Sequence, residues 1–344
     1  MTKQILAAII LSGAVILNVS AARAADNPLR PSNGNIDLPI PVANGDVVEL
    51  SSGQRIVGDW LDPSLAIRGR LGELTVPARQ VVGMKSDGQG AMADFLVTRG
   101  GDVLVGQVVQ TSLHFRTRDG ASVDVAVADI SRMSRRISIP STQPTTRGDT
   151  LTTLYPTITT DSGDKLAIDA PASIGFWTRF GHLDLRPNQI AAIELRLDGH
   201  PGDRVTFVDG SVLFGLLDGS TATFVPRALS LNSVTVPVAA LVRMDFASTP
   251  PQPGGGLHLS TGDVLSGRII GALAIQSGQG NVKISGADIR TINPADDSPG
   301  DFRVTQTRGT TITGPPADGD IQIQLNCGPK ITVPVGLISN FTAP

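Results

Sequence analysis

LHLSTGDVLSGRIIGALAIQSGQGNVKISGADIRTI, residues 257–292, holds the pattern that decides the fold. Leu257 and Leu259 alternate with polar residues, Gly262 marks a turn, Leu265 follows three positions later and Gly267 five positions later. The stretch closes on Val282, Ile284, Ile289 and Ile292, an apolar pair followed by apolar residues five and then three positions on. Alternation puts one face of a strand inward, and glycine accepts the positive φ that tight hairpin turns require. A second glycine five residues later marks a bend, a bulge or a place where another backbone comes close.

The same pattern recurs five more times. Turn glycines fall at Gly53, Gly101, Gly163, Gly210, Gly262 and Gly309, and the second glycine at Gly58, Gly106, Gly215, Gly267 and Gly314, with Ile168 in the third copy. The closing spacing is kept throughout: Leu74, Val76, Val81, Met84; Val123, Val125, Ile130, Met133; Leu183, Leu185, Ile190, Ile193; Val234, Val236, Leu241, Met244; Ile331, Val333, Ile338, Phe341. A strand that ends in Pro77, Pro237 or Pro334 and leads into apolar residues at i and i+3 predicts a strand, one 3₁₀ turn and a short last strand.

The reading is therefore an all-β protein of six tandem modules of about five strands each. Modules occupy 46–87, 94–137, 157–197, 203–246, 257–294 and 301–344. Pro/Thr-rich 138–156 and Pro/Gly-rich 247–256 are linkers, and the shorter connections elsewhere group the modules in three pairs. A six-bladed β-propeller is the alternative, since its blades have a similar length.

Before the modules, residues 1–24 read as a signal peptide, with Lys3, an apolar run from Ile5 to Val19 and the Ala22-Arg23-Ala24 cleavage site. Retention as an N-terminal anchor is the alternative. Residues 25–45, rich in Pro, Asn and Gly, form a leader without periodicity. Export points to a periplasmic or secreted bacterial protein. Cys327 is the single cysteine, so an internal disulfide is excluded. Without Lys3 and Arg23 the chain has 26 basic and 31 acidic residues, a net charge of −5, which offers no general attraction for nucleic acid or anionic lipid. No segment after the signal is long and apolar enough to span a membrane as a helix.

Leu257-His258-Leu259, Gly262, Leu265, Gly267 and Ile269, followed by Val282, Ile284, Gly286, Ile289 and Ile292, resemble the two sequence motifs of the Sm-like family, with spacing closest to the Hfq group of bacterial RNA chaperones. The resemblance implies a bent five-stranded small barrel for each copy, in a family that joins edge strands into rings. The basic Lys-His pair with which that group grips RNA is replaced here by Arg79-Gln80, Ala128-Asp129, Asn188-Gln189, Ala239-Ala240, Ala287-Asp288 and Gly336-Leu337. Nucleic acid is accordingly not expected as a partner.

No catalytic, cofactor or metal motif stands out. Asp161-Ser162-Gly163 has the aspartic-protease triplet but occupies the hairpin-turn slot. His114, His182, His200 and His258 lack metal-ligand spacing, and Asp102, Asp164 and Asp263 sit after turn glycines without a calcium-loop pattern. Cys327 has no histidine near it in sequence. What stands out is the third strand of several copies, where alternation turns cations and aromatics outward: Arg68 and Arg70; His114, Arg116 and Arg118; Trp177 and Arg179. Arg132, Arg135 and Arg136 extend the series. These residues are a solvated face or a docking stripe for a partner protein, a glycan or an anionic ligand. The expected function is a non-enzymatic envelope scaffold or protein-interaction module; the alternative is a glycan- or anionic-ligand-binding module that uses Trp177, Trp60 and the arginines.

Overall fold

The computed structural model describes residues 45–86, 94–136, 155–197, 202–227, 229, 233–246, 255–278, 280–295, 298, 300–326 and 328–343. The expected signal peptide, nearly all of the leader, most of both linkers and Cys327 lie outside these residues. The described chain is all-β, and no helix in it reaches seven residues.

The glycine-marked segments share one order of elements, except that the second strand of the fifth is split in two. The first contains β1 (Asp46–Leu50), β2 (Arg55–Trp60), β3 (Ser64–Gly69), β4 (Gly72–Pro77), a 3₁₀ turn at Ala78–Gln80 and β5 (Val81–Ser86). The second contains β6 (Asp94–Thr98), β7 (Val103–Val108), β8 (Ser112–Thr117), β9 (Ser122–Ala126), a 3₁₀ turn at Val127–Asp129 and β10 (Ile130–Ser134). The third follows with β11 (Thr157–Thr160), β12 (Lys165–Ala167), β13 (Ile174–Thr178), β14 (Gly181–Leu185) and β15 (Ile190–Glu194), and the fourth with β16 (Asp203–Phe207), β17 (Val212–Leu217), β18 (Thr221–Phe224), β19 (Val234–Pro237) and β20 (Leu241–Asp245). The fifth has β21 (Leu257–Leu259), β22 (Val264–Leu265), β23 (Gly267–Ile270), β24 (Ala272–Ser277), β25 (Gly280–Ser285) and β26 (Ile289–Pro294). The sixth has β27 (Phe302–Gln306), β28 (Thr311–Gly314), β29 (Asp320–Leu325), β30 (Lys330–Pro334) and β31 (Ile338–Thr342). A 3₁₀ turn precedes the last strand of every segment, where the i, i+3 spacing lets both apolar residues face the core.

Strands pair between segments as much as within them. In the first two segments the antiparallel order is β9-β8-β2-β1-β10-β5-β6-β7-β3-β4. Each last strand is thus given to the other segment: β5 lies on β6 and β10 on β1, with Met84 opposite Met133 at the centre. Segments three and four repeat this with β15 on β16, β20 on β11 and Ile193 opposite Met244. Segments five and six repeat it with β26 on β27, β31 on β21 and Ile292 opposite Phe341.

Among the described residues no barrel closes, in contrast to the five-stranded small barrel implied for each copy. The cause lies at the second glycine. There the second strand leaves its own hairpin and pairs with the third strand of the other segment, as β2 does with β8, β7 with β3 and β17 with β13. The two backbones come so close that a Cβ on Gly58 would lie 2.2 Å from the Arg116 carbonyl oxygen, and one on Gly215 2.0 Å from that of Trp177. Any side chain there forces the strands apart. The bend also releases the N–H two residues beyond the glycine, and a buried aspartate at the start of the first strand accepts it: Asp46 from Trp60 N at 2.9 Å, Asp94 from Val108 N at 2.8 Å, Asp203 from Leu217 N at 2.9 Å. Nor, among the described residues, do four consecutive strands form the meander that a propeller blade requires.

The closing apolar residues of all six segments are buried or packed against one extended core. Further hydrogen bonds join the second segment to the third and the fourth to the fifth. Asp102 Oδ1 accepts Ala167 N at 2.7 Å while Asp164 Oδ1 accepts Val105 N at 2.6 Å, a reciprocal clasp between two hairpins. At the other joint Asp263 accepts Phe214 N at 2.8 Å, and Ser211 Oγ accepts Ser266 N at 2.9 Å. The corresponding residues of the first and sixth segments, Gln54 and Thr310, are exposed.

Burial raises the carboxyl pKa of both Asp102 and Asp164, against the opposing effect of the N–H and hydroxyl groups donated to them. The folded chain therefore holds these protons more tightly than the unfolded chain. The stabilisation from protonation is fully present below the unfolded value of 3.8 and fades as pH rises through the folded values. Asp102→Asn keeps the acceptor and removes the titration. Wild-type stability measured relative to Asp102→Asn by thermal unfolding should rise as pH falls from about 6 towards about 4; a flat difference contradicts the assignment. Gly58→Ala and Gly215→Ala should each cost about 1–3 kcal/mol in chemical denaturation. Gly336→Ala, with nothing within 4 Å of the added methyl, should stay within about 0.5 kcal/mol.

Candidate functional site

The third strands carry the outward residues singled out in the sequence, but strand exchange separates them. Between β8 with His114 and Arg116 and β3 with Arg68 lie β2, β1, β10, β5, β6 and β7. They form local groups rather than one stripe.

Most of the cations already have acidic neighbours. Arg68 reaches Glu73 Oε2 across the β3–β4 hairpin through Nη2 at 2.7 Å and Nε at 3.2 Å. Arg70 Nε lies 3.8 Å from Asp161 of the third segment. Arg132 is bound to Glu49 at 2.8 Å. Arg116 is exposed opposite Asp59, and Arg118 is exposed in the β8–β9 turn. Exposed pairs of this kind contribute little stability, yet they cancel the local positive charge that would attract an anion.

Asp62, not recognised from the sequence, organises the outer end of β8. It accepts Trp60 Nε1 at 2.6 Å and His114 N at 2.8 Å, and its Oδ1 lies 2.6 Å from His114 Nδ1. Burial opposes ionisation of Asp62, but the hydrogen bonds from His114 and Trp60 outweigh it and hold the carboxyl below its usual range. The His114 imidazole is held above its usual pKa, first by the Asp62 hydrogen bond and then by the charges of Asp62 and Asp124. Trp60 is 5% exposed and lies beneath the Arg135 guanidinium at 4.9 Å, so it presents no face to a glycan. Arg135 also donates to Ala78 O at 2.6 Å, and the Arg136 amide to Asp46 at 2.7 Å, which makes this cluster part of the packing.

Trp177 differs from all of these. It is 53% exposed, and opposite it on β17 stands Leu216 at 57%, the two most exposed large apolar side chains among the described residues. Trp177 Nε1 donates to Asp218 Oδ1 at 3.2 Å, and its ring meets His182 edge-on at a centroid distance of 4.7 Å. Asp218 Oδ2 lies 3.3 Å from His182 Nε2. Arg179 reaches out of the third segment to the buried Asp263 of the fifth, Nε to Oδ2 at 3.3 Å. Trp177, Thr178, Arg179, Phe214, Leu216 and Thr261 line a cavity of about 370 Å³, within the range of about 300–1,000 Å³ that small-molecule sites occupy. Asp218, Gly175 and Leu217 line a smaller neighbouring cavity of about 180 Å³.

Asp161-Ser162-Gly163 forms the β11–β12 turn, where the Gly163 amide donates to Thr160 O and Ser162 Oγ to Asp164 at 2.6 Å. Asp102, Asp164 and Asp263, read from the sequence as turn residues, also reach across to the next pair of segments. The signal was present: Asp or Ser follows the turn glycine in segments two to five, and Gln54 or Thr310 in the first and last. Among the described residues no cluster of three His, Cys, Asp or Glu side chains is placed to hold a metal, and no helix is long and apolar enough to cross a membrane. No protein-family model, curated protein or solved structure matches the chain.

The two tryptophans should separate in solution. Acrylamide should quench Trp177 emission strongly and Trp60 weakly, so that Trp177→Phe leaves a blue-shifted, quencher-resistant spectrum. Equal quenching of both contradicts the placement.

Proposed function

We propose that the chain is an exported, non-enzymatic β-array of the bacterial cell envelope that acts as a scaffold or protein-interaction module. The observation that carries this reading is the unbroken linkage of strands through all six segments, with last strands exchanged inside each pair and buried Asp and Ser clasps between pairs. Such linkage favours a stiff support that holds surfaces at fixed spacing. In this reading the six segments are Sm-like modules whose rings have given way to covalent pairs, supported by five strands in every segment but the fifth, where the second strand is split in two, and by a bend at the second glycine in five of the six. The apolar run before Ala22-Arg23-Ala24 supports export to the periplasm or beyond.

A second reading, a glycan-binding module, is favoured by one feature: the exposed Trp177 beside Leu216, flanked by polar groups. An anionic ligand is disfavoured by the acidic partners of Arg68, Arg70 and Arg179.

The scaffold reading is tested by crosslinking the mature chain in envelope fractions. A defined envelope protein should be captured reproducibly and displaced by excess unlabelled chain. A chain that elutes alone and captures nothing contradicts it.

A further inference from the structure

The six segments provide an internal control for the Trp177 surface. Where a second strand passes its bend and meets the third strand of the paired segment, the first rung beyond the bend is Asp59–Arg116, Gln107–Arg68, Asp169–Val225, Leu216–Trp177, Arg268–Gln324 and Pro315–Gln276. Backbone geometry is shared, so the fold does not demand an apolar pair at this place. Five rungs keep a polar residue on at least one side. Only the Leu216–Trp177 rung exposes two large apolar side chains, and it is this rung that borders the larger cavity.

The charges around it narrow the ligand. Arg179 is paired with Asp263, and Asp218 with both the Trp177 indole and His182. Neither sign of charge is left uncompensated, which argues against a phosphorylated, sulfated or polyacidic ligand. What is offered is an indole face, an aliphatic neighbour, a guanidinium with donors beyond the Nε that faces Asp263, and a half-exposed carboxylate, while the Thr178 and Thr261 hydroxyls already donate to Gly181 O and Asp263 and can serve a ligand only as acceptors. A pyranose ring has the matching chemistry, with C–H groups for the aromatic face and vicinal hydroxyls that both donate and accept. The second cavity beside Asp218 extends the surface to a neighbouring sugar unit.

We infer that the Trp177–Leu216 rung, with Arg179 and Asp218 at its edges, is a binding site for a neutral saccharide chain. This rests on the second functional reading and specifies the ligand class; the scaffold reading does not depend on it.

The chain has two tryptophans, and Trp60 is buried, so a ligand-induced change in emission reports on Trp177. Mature protein is titrated with chitohexaose, maltohexaose and, as an anionic comparison, dextran sulfate. The inference predicts a saturable blue shift with at least one neutral oligosaccharide, insensitive to salt. Calorimetry should show its affinity weakened at least about tenfold in Trp177→Ala and largely kept in Trp177→Phe. Trp177 projects from the sheet, so unchanged far-ultraviolet circular dichroism and melting temperature separate loss of binding from loss of fold. Leu216→Ser, an independent change on the facing strand, should weaken binding in the same direction. No saturable response to either neutral oligosaccharide overturns the inference, as does a salt-sensitive response to dextran sulfate alone. Saccharide binding unchanged in Trp177→Ala overturns it too. Capture of an envelope protein that depends on Trp177, without saccharide binding, replaces it with a protein-docking surface and leaves the scaffold reading standing.

Discussion

The structure depends on a close approach of two backbones at a residue without a side chain. Gly58, Gly106, Gly215, Gly267 and Gly314 each bring their strand within reach of a carbonyl oxygen on the third strand of the paired segment, at distances that no Cβ tolerates. This contact sends the second strand out of its own hairpin. Once it is diverted, a segment can no longer complete its own sheet, and the last strand finds its partner in the neighbour. Exchange of last strands, the central Met84–Met133 contact and the open sheets all follow. A segment of about 40 residues has little core of its own, and sharing ten strands buries apolar surface that five would leave wet.

The buried aspartates show how polar groups support this arrangement. Asp46, Asp94 and Asp203 answer the N–H groups that the bends release, and Asp102, Asp164 and Asp263 answer those at the joints between pairs. A backbone donor buried without an acceptor costs about 1–3 kcal/mol. Placing a short carboxylate opposite each one is what allows strands to change partners inside the protein.

The sequence makes plain whatever is local. Turn glycines, bend glycines and the strand–3₁₀–strand spacing are properties of a few consecutive residues, and Leu74, Val76, Val81 and Met84 announce their burial through alternation and the i, i+3 step. Pairing between segments leaves no local mark, because β5 would look the same on β1 as on β6. Alternation placed Trp177 outward but said nothing of Leu216, which follows a bend where the inward–outward rhythm is reset. Sequence alone leaves Trp60 available, yet its indole lies under Arg135 with Nε1 held by Asp62 while Asp46 accepts its backbone amide, and the reach of both acidic residues is revealed only by the folded chain.

Native-state hydrogen exchange on the whole chain tests the central claim, that paired segments share one sheet through exchanged last strands. The amides of β5 and β10 should be the slowest in the first pair and should exchange with a common opening free energy, as should β15 with β20 and β26 with β31. If β1–β5 instead exchange as one unit, independently of β6–β10, each segment folds alone and the account is contradicted.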